Sequence, residues 1–269
     1  MNALIIIRGE SFRTGESASR NIGSRESYDT QSEASKSHLR FLKNLKNKNV
    51  NLDLNIATYK TQFLDECISW YNEEFNIIST CIKDNSENTN QGSLIRDAMK
   101  PHFDDTANIP NLSSYDFIFF LRFDCYLKEK FIEIFDPHWN TIRFPFVMYW
   151  QSVNEKTHAV NHFHHEYQHK TNLSYFPVVS DIMWFVPNKY ISNLFEGKHK
   201  RVHPWHDAWP SLITFNDLTF EDMDVMVNTM HRANSSIGSN PLYKISGRNE
   251  QCNGRRWIQT YFNKNEPPK

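Results

Sequence analysis

From Ala3 to Ile7 every position is apolar, and the run stops at Arg8 and Gly9. Such an uninterrupted stretch predicts a strand buried on both faces that feeds a polar loop. Gly9 to Thr30 is polar and rich in Ser, Arg and Glu. Between Ser32 and Leu45, the residues His38, Leu39, Leu42 and Leu45 recur at helical spacing with lysines outside, predicting an amphipathic helix. Leu52 to Ala57 alternates like a strand, Phe63 to Phe75 returns to the helical period, and Ile77 to Ile82 predicts a third strand. Gly92 to Met99 carries a further amphipathic pattern, closed by Pro101. The strongest strand signal is Tyr115 to Leu121, YDFIFFL. Strands alternating with helices predict a parallel α/β sheet joined by crossovers.

The second half changes character. Ile142 to Trp150 and Val178 to Val186 each read as a strand, with a long polar, histidine-rich segment between them. Pro187 and Pro204 punctuate the chain after the second of these strands, and Gly247 to Arg256 is basic and contains glycine. No linker, repeat or low-complexity stretch marks a boundary, so one domain with an elaborated C-terminal half is expected.

Composition narrows the function classes. A chain of 269 residues buries roughly three quarters of its unfolded surface, ample for a core. With 39% apolar and 23% charged residues the balance is globular rather than disordered. Thirty basic against thirty-one acidic side chains give a net charge of −1, which argues against bulk attraction to nucleic acid or anionic lipid. Eight glycines exclude collagen and a glycine fingerprint for dinucleotides. Cys67, Cys81, Cys125 and Cys252 form no CxxC pair, so reduced thiols are expected. The first apolar run is too short for a signal peptide and no window approaches a membrane span, so a cytoplasmic location is expected. Under that expectation the Asn-x-Ser sequons at Asn111, Asn172 and Asn234 carry little weight.

Ligands of parallel α/β sheets bind beyond the carboxyl ends of the strands. The first strand runs into Arg8-Gly9-Glu10-Ser11-Phe12-Arg13, and the YDFIFFL strand runs into Arg122-Phe123-Asp124. Arginines beside a glycine suit a diphosphate, because guanidinium groups bond phosphate oxygens bidentately. Asp124, at the mouth of a buried strand, suits Mg²⁺ or Mn²⁺. It equally suits a strand-end cap or an ion pair with Arg122. His165-Glu166-Tyr167-Gln168-His169 matches H-E-x-x-H, in which two histidines one helical turn apart bind zinc beside a general-base Glu. Lys170, Thr171, Asn172 and Pro177 come directly after it, a poor context for the stable helix this motif needs. His203-Pro204-Trp205-His206-Asp207-Ala208-Trp209 mixes aromatic faces with polar tips and suits either a sugar ring or core packing.

Four segments occur in a fixed order: R-G-E-S-F-R from Arg8, R-F-D from Arg122, V-S-D-x-x-W-F-V-P from Val179, and H-x-A-N-S from His231 followed by N-P-L-Y-K-I-S-G-R ending at Arg248. Together, from Leu4 to Arg248, they resemble the GT-A-type glycosyltransferases of algal and giant viruses, which decorate capsid glycans. The resemblance implies a single GT-A-like α/β domain, a mixed and mainly parallel sheet flanked by helices. Residues 1–125 would hold a nucleotide sugar, and residues 126–269 would bind the acceptor and complete a metal site. GT-A enzymes usually carry Asp-x-Asp; here the triplet is Arg122-Phe123-Asp124, so only Asp124 carries over, with His231 as the matching C-terminal histidine. An imidazole donor favours Mn²⁺ over Mg²⁺.

The expected donor-binding residues are Arg8, Gly9, Arg13, Thr58, Tyr59, Arg96 and Arg248, with Thr58 and Tyr59 lining base and ribose. Asp181 is the first candidate for general base and Asp207 the second. The partners expected are a nucleotide sugar, with UDP the expected nucleotide, and an oligosaccharide or glycoprotein acceptor. A viral member would act in the host cytoplasm. Two other classes stay open: a zinc metallohydrolase built on His165, Glu166 and His169, and a non-catalytic carbohydrate-binding protein.

Overall fold

A computed structural model describes residues 1–14, 21–84, 91–103, 108–145, 147–151, 175–179, 182–195, 218–226, 242–245 and 258–259. The apolar run forms β1 (Asn2–Arg8), buried at every position after the first. A strand's side chains alternate between faces. Ala3, Ile5 and Ile7 accordingly join one core with Phe41, Leu42 and Leu45. Leu4 and Ile6 join a second core with Leu94, Ile95 and Met99. The first three partners lie on α1 (Arg25–Asn47) and the second three on α3 (Gln91–Met99). Each fully buried Ile or Leu contributes roughly 1.5–3 kcal/mol, so both helices are bound to the sheet by this one strand and its neighbours.

The crossovers follow the predicted order. After β1 come the two-residue strands β2 (Arg13–Thr14) and β3 (Asn21–Ile22), which pair with each other, and then α1. β4 (Asn51–Tyr59), α2 (Leu64–Asn72), β5 (Asn76–Lys83), α3 and β6 (Phe117–Arg122) succeed one another. Helix α1 begins earlier than its apolar period suggests. Ser24 caps it by accepting from the Ser27 N–H (3.1 Å), and its first turns bury Ser27, Gln31 and Ser35, polar residues that carry no apolar period.

The stretches read as single strands are each two strands in different sheets. Residues 142–150 divide into β8 (Ile142–Phe144) and β9 (Val147–Gln151); Pro145 between them has no N–H to continue a ladder. Residues 178–186 divide between β10 (Tyr175–Val179) and β11 (Met183–Pro187). β8 and β11 join the main sheet, while β9 and β10 pair in a three-stranded sheet with β14 (Ile258–Gln259). β7 (Cys125–Leu127), α4 (Glu129–Ile134), α5 (Ile191–Phe195), β12 (Met223–Val225) and β13 (Tyr243–Ile245) complete the described elements. β13 pairs with β7.

The main sheet has seven strands in the order β12-β8-β11-β6-β1-β4-β5. β5, β4, β1 and β6 run parallel, β11 opposes β6 and β8, and β12 runs parallel to β8. One strand thus opposes the rest. The fold is of the α/β class expected, a mixed and mainly parallel sheet flanked by helices. Among the described residues, Cys67, Cys81 and Cys125 are in no disulfide, and no helix is long and apolar enough to cross a membrane.

Candidate active site

The chain runs from β1 outward through β4 to β5, then returns to place β6 on the other side of β1. The strand order reverses between β1 and β6, and beyond the carboxyl ends of such a pair an open α/β sheet forms its ligand crevice. Arg8 ends β1 and Arg122 ends β6, and the two are register partners. Partners on adjacent parallel strands leave the sheet on the same face. Both arginines are nearly inaccessible, at 0% and 6% exposure.

Arg122 folds back on the next turn. Its Nε donates to one oxygen of Asp124 (2.8 Å) and an Nη to the other (2.5 Å), a bidentate pair whose partners are both buried. The readings left open by the sequence at Asp124 therefore include one the structure displays directly, the ion pair. Around β1, the Gly9 N–H donates to the Ala57 carbonyl (3.0 Å). Gly9 has φ +107°, yet nothing lies within 4 Å of where a Cβ would stand. Glycine is required there by backbone conformation and not by crowding. The Thr58 hydroxyl donates to the Gly9 carbonyl (2.7 Å) and lies 3.1 Å from the Ser11 hydroxyl. Arg13, 7% exposed, pairs with Glu10. Tyr59 is also buried.

Gln31 of α1 ties these loops together. Its Oε1 accepts from the Phe12 N–H (3.1 Å), and its Nε2 donates to the Phe123 carbonyl (3.0 Å), with Ser35 Oγ at 3.2 Å. One amide thus holds both the loop after β1 and the turn after β6. Phe12 sits at φ 53°, where a bulky residue is strained. Its ring lies 5.4 Å from Phe63 and 6.0 Å from Tyr28, and its carbonyl accepts from the Gly23 N–H (3.0 Å).

Beneath the turn, His38 Nε2 lies 2.5 Å from the Cys125 carbonyl and Nδ1 lies 2.8 Å from the Tyr71 hydroxyl. A carbonyl can only accept, so Nε2 carries the proton and the tyrosine donates to Nδ1. Burial pushes His38 down to about 4, against the opposing effects of the Cys125 carbonyl and the Asp124 charge. The imidazole is therefore neutral at physiological pH. Burial likewise raises Cys67 to about 12 and raises Tyr71.

Of the residues singled out from sequence, Thr58 is bonded to Gly9, Arg8 stands in register with Arg122 and through it beside Asp124, and Arg13 and Tyr59 are buried in the segments after β1 and at the end of β4. Arg96 is exposed on α3, outside this buried set. Asp181, Asp207, His231 and Arg248 lie outside the described residues, as do His165, Glu166 and His169 and the tryptophans Trp205 and Trp209. Gln31 and His38 were not singled out as site residues, and Arg122 was named only as a strand-end charge and an ion-pair partner for Asp124. A polar residue spaced three or four from the next along a helix (Gln31, Ser35, His38) would have been the signal for the first two.

The donor set for a metal ion can be tested on Asp124. Both of its oxygens already receive a guanidinium, and among the described residues no group of three His, Cys, Asp or Glu side chains converges. A divalent ion on Asp124 would have to displace Arg122 or lie against its charge. The described residues, in this arrangement, do not fit one.

No protein-family model and no curated protein matches this chain. Among solved structures, a Drosophila β1,4-galactosyltransferase 7 variant in complex with manganese, UDP-Gal and xylobiose is similar at 11% identity and TM-score 0.38, over 97% of this chain and 76% of that one. A Desulfovibrio desulfuricans protein described as a nucleotide-diphospho-sugar transferase is similar at 11% identity and TM-score 0.39, over 83% of this chain and 78% of that one. S. aureus TarS is similar at 9% identity and TM-score 0.38, over 90% of this chain and 59% of that one.

Proposed function

We propose that this chain is a glycosyltransferase that moves a sugar from a nucleotide-diphosphate sugar, expected to be a UDP-sugar, to a glycan acceptor. One observation carries the reading: buried arginines end the two strands that flank the sheet's reversal point. A diphosphate is the anion such a crevice suits, because it offers several oxygens to forked donors. Arg8 would face it from the end of β1 and Arg13 from beyond that strand, with Thr58 and Tyr59 at the end of β4 beside the base and ribose. Gly9 lets the backbone turn into that position. Arg248, and Arg96 by a longer reach, are the further donor contacts proposed. The whole of residues 1–269 would act as one domain, with the donor in about 1–125 and the acceptor in about 126–269.

In the transfer the acceptor hydroxyl oxygen attacks the anomeric carbon and forms the new C–O bond. The bond from that carbon to the diphosphate oxygen breaks, and its electron pair leaves with the nucleoside diphosphate. An inverting enzyme needs a carboxylate to take the hydroxyl proton. Asp181 is the first candidate. What supports it is its place in the chain directly before Ile182, whose carbonyl accepts from the Arg122 N–H (3.1 Å). Asp207 is the second. The expected Mn²⁺ on Asp124 and His231 would neutralise charge on the leaving group, but no step is assigned to it because Asp124 is held by Arg122. An oligosaccharide or glycoprotein is the acceptor class, a viral capsid glycan being one member, and the cytoplasm is the proposed location.

A thermal-shift series with UDP- and GDP-sugars tests the reading, followed by chromatography for released nucleoside diphosphate. A rise in melting temperature with one nucleotide sugar, and its turnover, is expected. Stabilisation by zinc alone, with no response to any nucleotide, would favour a hydrolase instead.

A further inference from the structure

We propose that Gln31 is a positioning residue of the donor crevice: its one amide bridges the two strand ends that part at the reversal point, and so fixes the separation at which groups from both sides meet the diphosphate. The inference rests on the glycosyltransferase reading and adds to it a residue that touches no substrate. The ladder between β1 and β6 closes where the Phe123 N–H donates to the Arg8 carbonyl (2.9 Å). Past that rung the Gly9 N–H goes to the Ala57 carbonyl of β4 (3.0 Å). The Arg122 N–H goes instead to the Ile182 carbonyl, next to β11 (3.1 Å). The chain after β1 is thus drawn toward one side of the sheet and the end of β6 toward the other, which is how a reversal of strand order opens a crevice.

Gln31 joins the two again. Its Oε1 accepts from the Phe12 N–H, one residue before Arg13, and its Nε2 donates to the Phe123 carbonyl, in the peptide that leads into Asp124. At 3% exposure the amide makes both bonds away from water, where an unmet partner is costly. The same helix holds the turn after β6 at further points. His38 meets the Cys125 carbonyl, the Ser37 hydroxyl accepts from the Leu127 N–H (2.9 Å), and Arg40 donates to the Leu127 carbonyl (3.1 Å). Helix α1 therefore carries that turn as a fixed part, and Gln31 refers the loop after β1 to it. Phe12 holds its φ of 53° between the Gln31 bond to its N–H and the Gly23 bond to its carbonyl, as a strained residue needs neighbours that over-determine it. With both segments already in place, a nucleotide does not have to order them on arrival, and that saving appears as affinity.

The test uses the full chain with UDP and GDP as probes, by calorimetry and native-state hydrogen exchange. Gln31→Met keeps the bulk and removes both bonds, and should weaken binding of the nucleotide roughly tenfold. Gln31→Asn keeps the amide but draws it back by about 1.5 Å, so that it reaches one partner and not both. It should lose as much affinity as Gln31→Met, because a bridge released at either end no longer sets a separation. Asn55→Ala removes another buried amide, one whose Nδ2 donates to the Ala98 carbonyl (3.0 Å) of α3 on the opposite face of the sheet. It should lower the melting temperature and leave nucleotide affinity within about twofold, a split that general destabilisation would not produce. In the wild type, saturating nucleotide should slow exchange of the Phe12 amide by about the same factor of ten beyond its effect on the amides of β1, since linkage is reciprocal. This wild-type measurement holds even where a variant does not fold. Wild-type affinity in Gln31→Asn, losses no larger than that of Asn55→Ala, or a Phe12 amide indifferent to nucleotide would each overturn the inference and leave the glycosyltransferase reading standing. Binding of neither nucleotide by the wild type would end both.

Discussion

His38 sets a pH limit on the turn that carries Asp124, and its size can be worked from the structure. The imidazole is buried and titrates near 4, against its ordinary 6.5, because burial disfavours the charged ring. Between those values the unfolded chain binds a proton that the folded chain does not. Stability from this group is thus complete above about pH 6.5 and is lost as the pH falls toward 4. A difference of this size at 1.36 kcal/mol per unit is on the order of 3 kcal/mol in all, most of which is gone by about pH 4.5. His102, also lowered by burial, acts with the same sign, so the wild type alone cannot isolate His38. The perturbation is therefore His38→Gln, compared with wild type by urea unfolding at about pH 7.5 and about pH 4.5. The variant should be less stable at the higher pH, for lack of the bonds to Tyr71 and Cys125. The gap between the two proteins should shrink by about 2–3 kcal/mol at the lower pH, with His102 cancelling. A gap that stays constant within about 0.5 kcal/mol would refute a buried, neutral His38.

Gly9→Ala should cost about 1–2 kcal/mol in chemical denaturation through φ alone, since a Cβ there meets nothing within 4 Å; a much larger loss would mean that close packing had been missed. Gln31→Met should expose the Phe12 amide to hydrogen exchange, whereas Gln31→Glu, which keeps an acceptor for it, should preserve its protection and lose the bonds that Nε2 donates to Phe123 and Ser35. Arg13→Ala should weaken donor binding roughly 10-fold or more by calorimetry. An unchanged affinity would return Arg13 to a purely structural pair with Glu10.

Some of this protein is written in local pattern. The run Ala3–Ile7 fixed a strand buried on both faces, because a sheet covered on each side gives an unbroken apolar segment. The apolar periods of α1, α2 and α3 marked those helices for the same reason, each having one face against the sheet. The ends of two central strands at Arg8 and Arg122 were also legible, since a charge closes each apolar run, and the two strands prove to flank the reversal of strand order. Pattern failed where the two halves of a strand serve different sheets. Residues 142–150 and 178–186 look continuous because both halves are strand-like, and only pairing with separate partners divides them.

The site depended on the fold at three residues. The spacing of Arg122 and Asp124 permits a metal ligand, a cap or an ion pair alike. Their burial together beside Arg8, a residue brought there by the crossover between β1 and β6, places the guanidinium on both carboxylate oxygens. Gln31 carries a polar side chain on a helix and by pattern belongs to solvent. It is buried because the Phe12 amide and the Phe123 carbonyl, from loops far apart in the chain, meet on its two ends. His38 counts as one apolar position in a helical period, yet its neutral state comes from the Tyr71 hydroxyl and the Cys125 carbonyl closing over it. Local periodicity records which face of an element is dry. Which polar groups meet in that dry space is a property of chain crossings, and it is decided only when the sheet is assembled.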